Sequence, residues 1–145
     1  GSEMCIRDSQ HTFTDKISNS KMRNLIFIFI GGGLGSIFRF LIGKFFEASK
    51  SSLPWSTLIA NFLGCIIIGF LLGWGMKNQT FRSDIYLFIS VGFCGGLTTF
   101  STFSIENMLF LKSGDYFSFI AYSLLSLIGG ILFVGFGHML FKFST

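Results

Sequence analysis

The sequence predicts an all-α membrane protein with four transmembrane helices, the third of them broken. Three observations predict it. Of 145 residues 50% are hydrophobic and 12% charged, far below the roughly 25% charged content of an ordinary soluble domain. The apolar residues gather into four runs of about 20, each long enough to cross a hydrocarbon core of about 30 Å as a helix. All of the 18 glycines except Gly1 follow Met22, and most sit inside those runs, which is the composition of closely crossing membrane helices. A mean hydropathy of +0.66 agrees. The short connections left over hold no soluble catalytic or binding domain.

Residues 1 to 21 are polar, lack an apolar run of signal-peptide length and change in character at Met22. They are expected to be a disordered or non-native extension, with residues 22 to 145 as the membrane domain and Met22 as a plausible true start. The first span then runs from about Leu25 to Phe46, and the second from about Ser56 to Met76. The fourth runs from about Tyr116 to Phe141. The third, about Ile85 to Leu111, differs from the others. It carries Gly92, Gly95 and Gly96 in its middle, followed by a hydroxyl-rich stretch. Each glycine weakens a helix by about 1 kcal/mol relative to alanine, and irregular backbone at membrane depth survives only where protein or a water-filled cavity covers it. The break must therefore be buried against something, unless the glycines serve only tight helix crossing.

The net charge of +4 does not indicate nucleic acid, because the basic residues lie at span ends and in loops and form no stripe with interleaved aromatics. From Met22 onward, one side of the membrane carries Arg23, Lys77, Arg82 and Lys142, and the other Lys44, Lys50 and Lys112. That near balance barely satisfies the positive-inside rule. Only if Arg7, Lys16 and Lys21 are native does a clear bias appear. Without them, insertion in both orientations and an antiparallel homodimer follow. Three cysteines are present, and Cys65 and Cys94 fall inside apolar spans. They read as small buried hydrophobes, neither a disulfide framework nor a zinc spacing.

Three segments carry a resemblance: GGGLGSIFRF at 31–40, NFLGCIIIGF at 61–70 and, above all, GFCGGLTTFSTF at 92–103. Together they resemble the CrcB/Fluc family of small fluoride channels, from Met22 to about Lys142. The third segment, a broken span followed by paired phenylalanines and hydroxyls, is the specific one. The resemblance implies a fluoride channel of the bacterial inner (plasma) membrane, built as an antiparallel dual-topology homodimer with pores at the subunit interfaces. Fluoride, membrane lipid and a second copy are its implied partners.

A fluoride pathway has requirements of its own. A small, strongly hydrated anion entering a low-dielectric region without replacement ligands faces a cost of tens of kcal/mol. Donors must replace its water, and they must be close to neutral, since a cation in the path would hold the ion too tightly for it to leave. Amide NH2 groups, hydroxyls and the electropositive edges of aromatic rings meet that description. Asn61, about one turn into the second span, reads either as an interhelical hydrogen-bonding residue or, by the resemblance, as an anion-contacting donor near a vestibule. Phe100 and Phe103 are three apart and share a helical face. Among 21 phenylalanines a given pair is ordinarily packing or lipid-facing, but these follow the break and alternate with Thr99, Ser101, Thr102 and Ser104. By the resemblance they form the aromatic box of the pore, with ring edges toward the anion.

Gly95 and Thr98 flank the break, where carbonyls released from the helix ladder need a cation or donors. The resemblance implies that their backbone oxygens bind a central structural sodium; neighbouring hydroxyls are the alternative. Arg39 lies within the first span, where a charge at the bilayer centre costs about 2.5 to 3.5 kcal/mol on insertion scales. It either snorkels to the interface or makes an electropositive mouth, as the family's matching arginine implies. Glu106 is expected to pair with Arg39 or a loop lysine. On the fourth span Tyr122 and Ser126 are four apart and match the family's polar track, which meets Gly130 one turn further where another hydroxyl would be expected. His138 reads as interfacial. The spacings Gly31/Gly35, Gly69/Gly73 and Gly92/Gly96 read as helix contacts.

Two other function classes compete with the channel. A small multidrug-type proton-coupled exporter also has four spans, but needs a membrane-embedded acid on the first, which carries Arg39 and no acid before Glu47 at its end. A non-transporting assembly subunit leaves the phenylalanine and hydroxyl cluster unexplained. No span carries a nucleophile with a positioned base, a metal-ligand cluster or an acid pair, so an enzyme is not expected.

Overall fold

The computed structural model describes residues 2–46, 53–81 and 83–144, with side chains from Ser20 onward. Glu47, Lys50 and Arg82, which enter the arguments above, lie outside the described residues. All regular structure among the described residues is helical, and four segments are long and apolar enough to cross a membrane: Ser20–Phe46, Trp55–Asn78, Asp84–Ser113 and Tyr116–Ser144. Each contains the span expected from the sequence.

Helix α1 (Ser2–Phe46) carries the first span and continues its backbone through the polar segment before Met22. α2 (Trp55–Asn78) starts directly after Pro54, a residue whose ring suits a helix entrance because no N–H is lost there. It ends at Gln79, which takes a left-handed conformation (φ 52°). The third membrane segment is assembled from pieces. α3 (Asp84–Leu87) is capped by Ser83, whose Oγ accepts from the Tyr86 N–H at 3.2 Å. A π-helical stretch (Phe88–Cys94) follows, then α4 (Gly95–Leu97). Thr98 and Thr99 are extended (ψ 154° and 119°), and α5 (Phe100–Ser113) begins. Thr99 caps α5 by accepting the Thr102 N–H on its Oγ1 at 3.2 Å, the standard way for a hydroxyl to satisfy an orphan helix donor. Gly114 closes α5 at φ 75°. Asp115 Oδ1 then accepts the Ser118 N–H at 3.0 Å and starts α6 (Tyr116–Ser144).

Two helix pairings organise the packing. α1 lies along the π-helical stretch and α4, and α2 lies along α6. Both depend on missing side chains. A Cβ on Gly35 would strike the Phe93 carbonyl, and one on Gly69 would strike the Val134 carbonyl. The expected helix contacts at the glycine spacings are therefore backbone-to-backbone approaches at Gly31, Gly35, Gly69, Gly92 and Gly96, while Gly73 makes room for the Phe141 ring; van der Waals packing replaces the hydrophobic drive that lipid cannot supply. Fully buried side chains are few, with Leu58, Leu97 and Tyr122 the largest. Most large apolar residues face outward, as lipid-facing surfaces require. Gly35→Ala is expected to destabilise the protein by about 1 to 3 kcal/mol, the range for overpacking a tight contact. Thermal unfolding in detergent checks it, with the open Gly33, whose Cβ would meet nothing within 4 Å, as the tolerant control.

Candidate functional site

The interruption at Thr98 and Thr99 sets the geometry of the site. In a continuous helix the Thr99 N–H would bond the Gly95 carbonyl. Here it donates to Asn61 Oδ1 at 2.8 Å, while Asn61 Nδ2 donates back to the Thr99 carbonyl at 3.3 Å. One side-chain amide on α2 thus satisfies both backbone groups of an extended residue in the neighbouring span. Thr98 turns its N–H and its hydroxyl onto the Cys94 carbonyl, at 2.9 and 2.8 Å. Its own carbonyl accepts from Arg39 Nη1 at 3.4 Å. Gly64 lets α2 approach this closely, because a Cβ there would collide with Thr98 Cγ2.

Beside the interruption is an open cavity of about 520 Å³. Asn61, Thr99, Phe100, Phe103 and Ser126 line it, together with Gly95 and Thr98. Seven of the residues singled out from sequence therefore share one wall. No charged side chain lines it; Arg39 reaches the Thr98 carbonyl but is not among the lining residues. The Ser126 hydroxyl is buried without a hydrogen-bond partner, which leaves a donor free for a guest. The rings of Phe100 and Phe103 lie 5.8 Å apart at 38°. Phe100 is 79% exposed.

The remaining residues sit around this wall rather than on it. Ser101 and Thr102 occupy the first turn of α5 and bond the Thr99 hydroxyl at 3.3 and 3.0 Å. Tyr122 is fully buried behind Phe103, with ring centroids 5.2 Å apart. Its hydroxyl donates to Glu106 Oε2 at 2.6 Å, and Thr57 Oγ1 donates to Glu106 Oε1 at 2.7 Å. The expectation that Glu106 pairs with Arg39 or a loop lysine is corrected here: two hydroxyls serve the carboxylate, and charge-assisted bonds to neutral donors can hold it without a cation. Tyr122 thus gives its hydroxyl to Glu106, while Ser126 lines the cavity. Asn107 and Ser123 form a further polar contact between α5 and α6 at 2.9 Å.

Thr57, which bonds Glu106, and Ser90, which lines the cavity, were not singled out from the sequence; Cys65 and Cys94, read from it as small buried hydrophobes, line the cavity as well. Thr57, Asn61 and Cys65 recur every fourth residue on α2, so a stripe on one helical face was the signal that could have found Thr57 and Cys65. No such signal marked Ser90.

The protein is a multi-pass helical membrane protein with an uncharged cavity, mostly apolar but for a few polar groups, beside the interruption in its third span. The family follows from comparison: the model described as "CrcB-like protein, Camphor Resistance (CrcB)" matches residues 26–138, and the chain belongs to this family. Proteins named "Fluoride-specific ion channel FluC" from Phocaeicola vulgatus and from Leptospira interrogans serovar copenhageni are each 43% identical to it. The matches cover 80% and 83% of this chain and 96% and 95% of those proteins. The protein of the same name from Azobacteroides pseudotrichonymphae is 36% identical over 123 residues, 84% of this chain and 98% of its own.

Proposed function

We propose that this chain is a fluoride-selective passive channel that lets cytoplasmic fluoride leave the cell across the bacterial inner membrane. Two copies, inserted in opposite orientations, form the channel, with the pores at their interface. The observation that carries this reading is the cavity wall: Asn61, Thr99, Ser126 and the paired rings of Phe100 and Phe103 gathered with no ionised group among them. Such a wall replaces water around an anion without trapping it. The relatives' name supports fluoride as that anion.

Each residue has a part in this reading. Phe100 and Phe103 turn ring edges toward the ion. Ser126 offers its free hydroxyl, and the Asn61 amide and the Thr99, Ser101 and Thr102 hydroxyls keep the polar side of the path from collapsing onto apolar contacts. Arg39 raises the potential at the vestibule from behind, and Tyr122 holds Phe103 and Glu106 in place. The 79% exposure of Phe100 supports a second copy as the missing half of the wall, since a polar passage open to lipid would be unstable.

The residues also fit a structural sodium. With the Thr99 N–H committed to Asn61, the Gly95 carbonyl loses its ladder donor, and it and the Thr98 carbonyl are hard oxygen ligands of the kind that broken membrane helices present to Na+. Bound there, the ion would supply positive charge to the carbonyls of two facing breaks. Arg39, at 3.4 Å from the Thr98 carbonyl, supplies a weaker version of that charge within one protomer.

Reconstituted into liposomes loaded with fluoride or chloride, the protein is expected to release fluoride and retain chloride, as read with ion-selective electrodes. Equal release of both anions would overturn the selective-channel reading. Proton-gradient-driven uptake of an organic cation would favour the multidrug-type exporter, although no acidic residue lies in the first span between Ser20 and Phe46.

A further inference from the structure

Along the cavity, α6 stops offering donors after Ser126. Ser126, Gly130 and Val134 follow one another at one-turn intervals on one face of that helix, and the first and last of them line the cavity. Beyond the free Ser126 hydroxyl, this face therefore presents no side-chain donor for two turns. Neighbouring hydroxyls of the third span do not fill the gap. Ser90 gives its proton to the Tyr86 carbonyl at 2.6 Å, and Thr98 gives its own to the Cys94 carbonyl at 2.8 Å. α2 reaches into the space instead. The Cys65 sulfur lies 3.7 Å from the point where a Cβ on Gly130 would stand, and Cys65 lines the cavity one turn after Asn61. α2 and α6 run parallel here, with Phe62 against Gly129 and Ile66 against Gly137, so the turn from Asn61 to Cys65 advances in the same direction as the turn from Ser126 to Gly130.

We propose, on the channel reading above, that the Cys65 thiol supplies the donor that α6 lacks at Gly130 and so lines the ion path one turn beyond Ser126. A thiol is neutral and carries an S–H donor. It therefore meets the same requirement as the amide and hydroxyl groups, facing an anion without holding it as a cation would. Cys94 also lines the cavity but is only 2% exposed, whereas Cys65 is half-buried. The position is exchangeable between the two helices. A separation of 3.7 Å is ordinary van der Waals contact, so a small side chain on Gly130 would share the space with the sulfur and not collide with it. A donor placed at this level on either helix should serve the ion.

The test measures fluoride release from liposomes for the full chain and its variants, with gel filtration as the check on assembly. Cys65→Ala should lower release about threefold to tenfold, the rate equivalent of one lost hydrogen bond. Adding Gly130→Ser to Cys65→Ala should restore most of that loss, because the hydroxyl returns a donor to the same level from the other helix. Adding Gly130→Ala instead, which fills the space without a donor, should restore none of it. Restoration by both second substitutions would reveal a packing role, and restoration by neither would show that no exchangeable donor acts there; either result overturns the proposal, as does unchanged release in Cys65→Ala alone. If Cys65→Ala fails to assemble, Cys65→Thr and Cys65→Val decide, since the two side chains are alike in shape and only threonine has a hydroxyl. The threonine variant should release more fluoride than the valine variant by the same factor, and equal release overturns the proposal. A parent protein that releases no fluoride would overturn the channel reading itself, a failure that the variants alone cannot produce.

Discussion

Replacing Phe100 or Phe103 with isoleucine is expected to lower fluoride release from liposomes by about tenfold, the rate equivalent of losing an aromatic-edge contact of about 1.4 kcal/mol, while the protein still assembles. The two side chains are similar enough in volume to fill the same space, so packing changes little. The ring edge is what disappears. An aromatic edge carries positive quadrupolar charge, whereas an isoleucine methyl offers an anion nothing. At Phe103 the substitution also removes the ring contact with Tyr122, 5.2 Å away, so this variant should show the greater loss of stability. Phe100 makes its ring contact with Phe103 alone among the described aromatic pairs and is mostly exposed on the protomer, so its variant isolates the effect on conduction. Gel filtration against the parent protein separates assembly from flux. Unchanged release in both variants would show that the rings do not face the ion.

The four spans were legible because lipid forces every span to be long and apolar, and the segments Trp55–Asn78 and Tyr116–Ser144 differ from the expected ones by only a few residues at their ends. The glycine and hydroxyl run at 92–104 marked the right region of the third span. Its detail was not legible. The π-helical geometry of Phe88–Cys94 leaves no periodic trace in a stretch whose one polar side chain is Ser90. The partners of Glu106 were missed for a different reason. A carboxylate inside a span suggests a cation by simple charge balance, but Thr57 is 49 residues away and Tyr122 16, and only the packing of α2 and α6 against α5 brings their hydroxyls to it. Arg39 followed the same pattern: sequence identified it as a costly charge, and the fold supplied the Thr98 carbonyl, 59 residues distant. Residue types showed where polarity sits, and helix packing decided which polar groups meet.

Asn61→Leu is expected to cost several kcal/mol of stability, the penalty for leaving backbone polar groups unsatisfied in a membrane, and to abolish fluoride release. The size of the effect comes from the double role of one amide. In the parent protein it accepts the Thr99 N–H at 2.8 Å and donates to the Thr99 carbonyl at 3.3 Å; leucine does neither. Thr99 then has two ways to satisfy its N–H. It can return to the Gly95 carbonyl, which straightens the span and withdraws the carbonyl proposed for sodium, or it can draw in water, which opens the cavity without selectivity. Both outcomes end selective passage. Asn61→Asp separates the contributions, because an ionised carboxylate still accepts the Thr99 N–H but cannot donate to the carbonyl, and its charge repels an anion. It should keep more of the stability than leucine while conducting no fluoride. Thermal unfolding in detergent and liposome efflux, measured on the same preparations, check both halves. A leucine variant as stable as the parent would show that this amide does not brace the interruption.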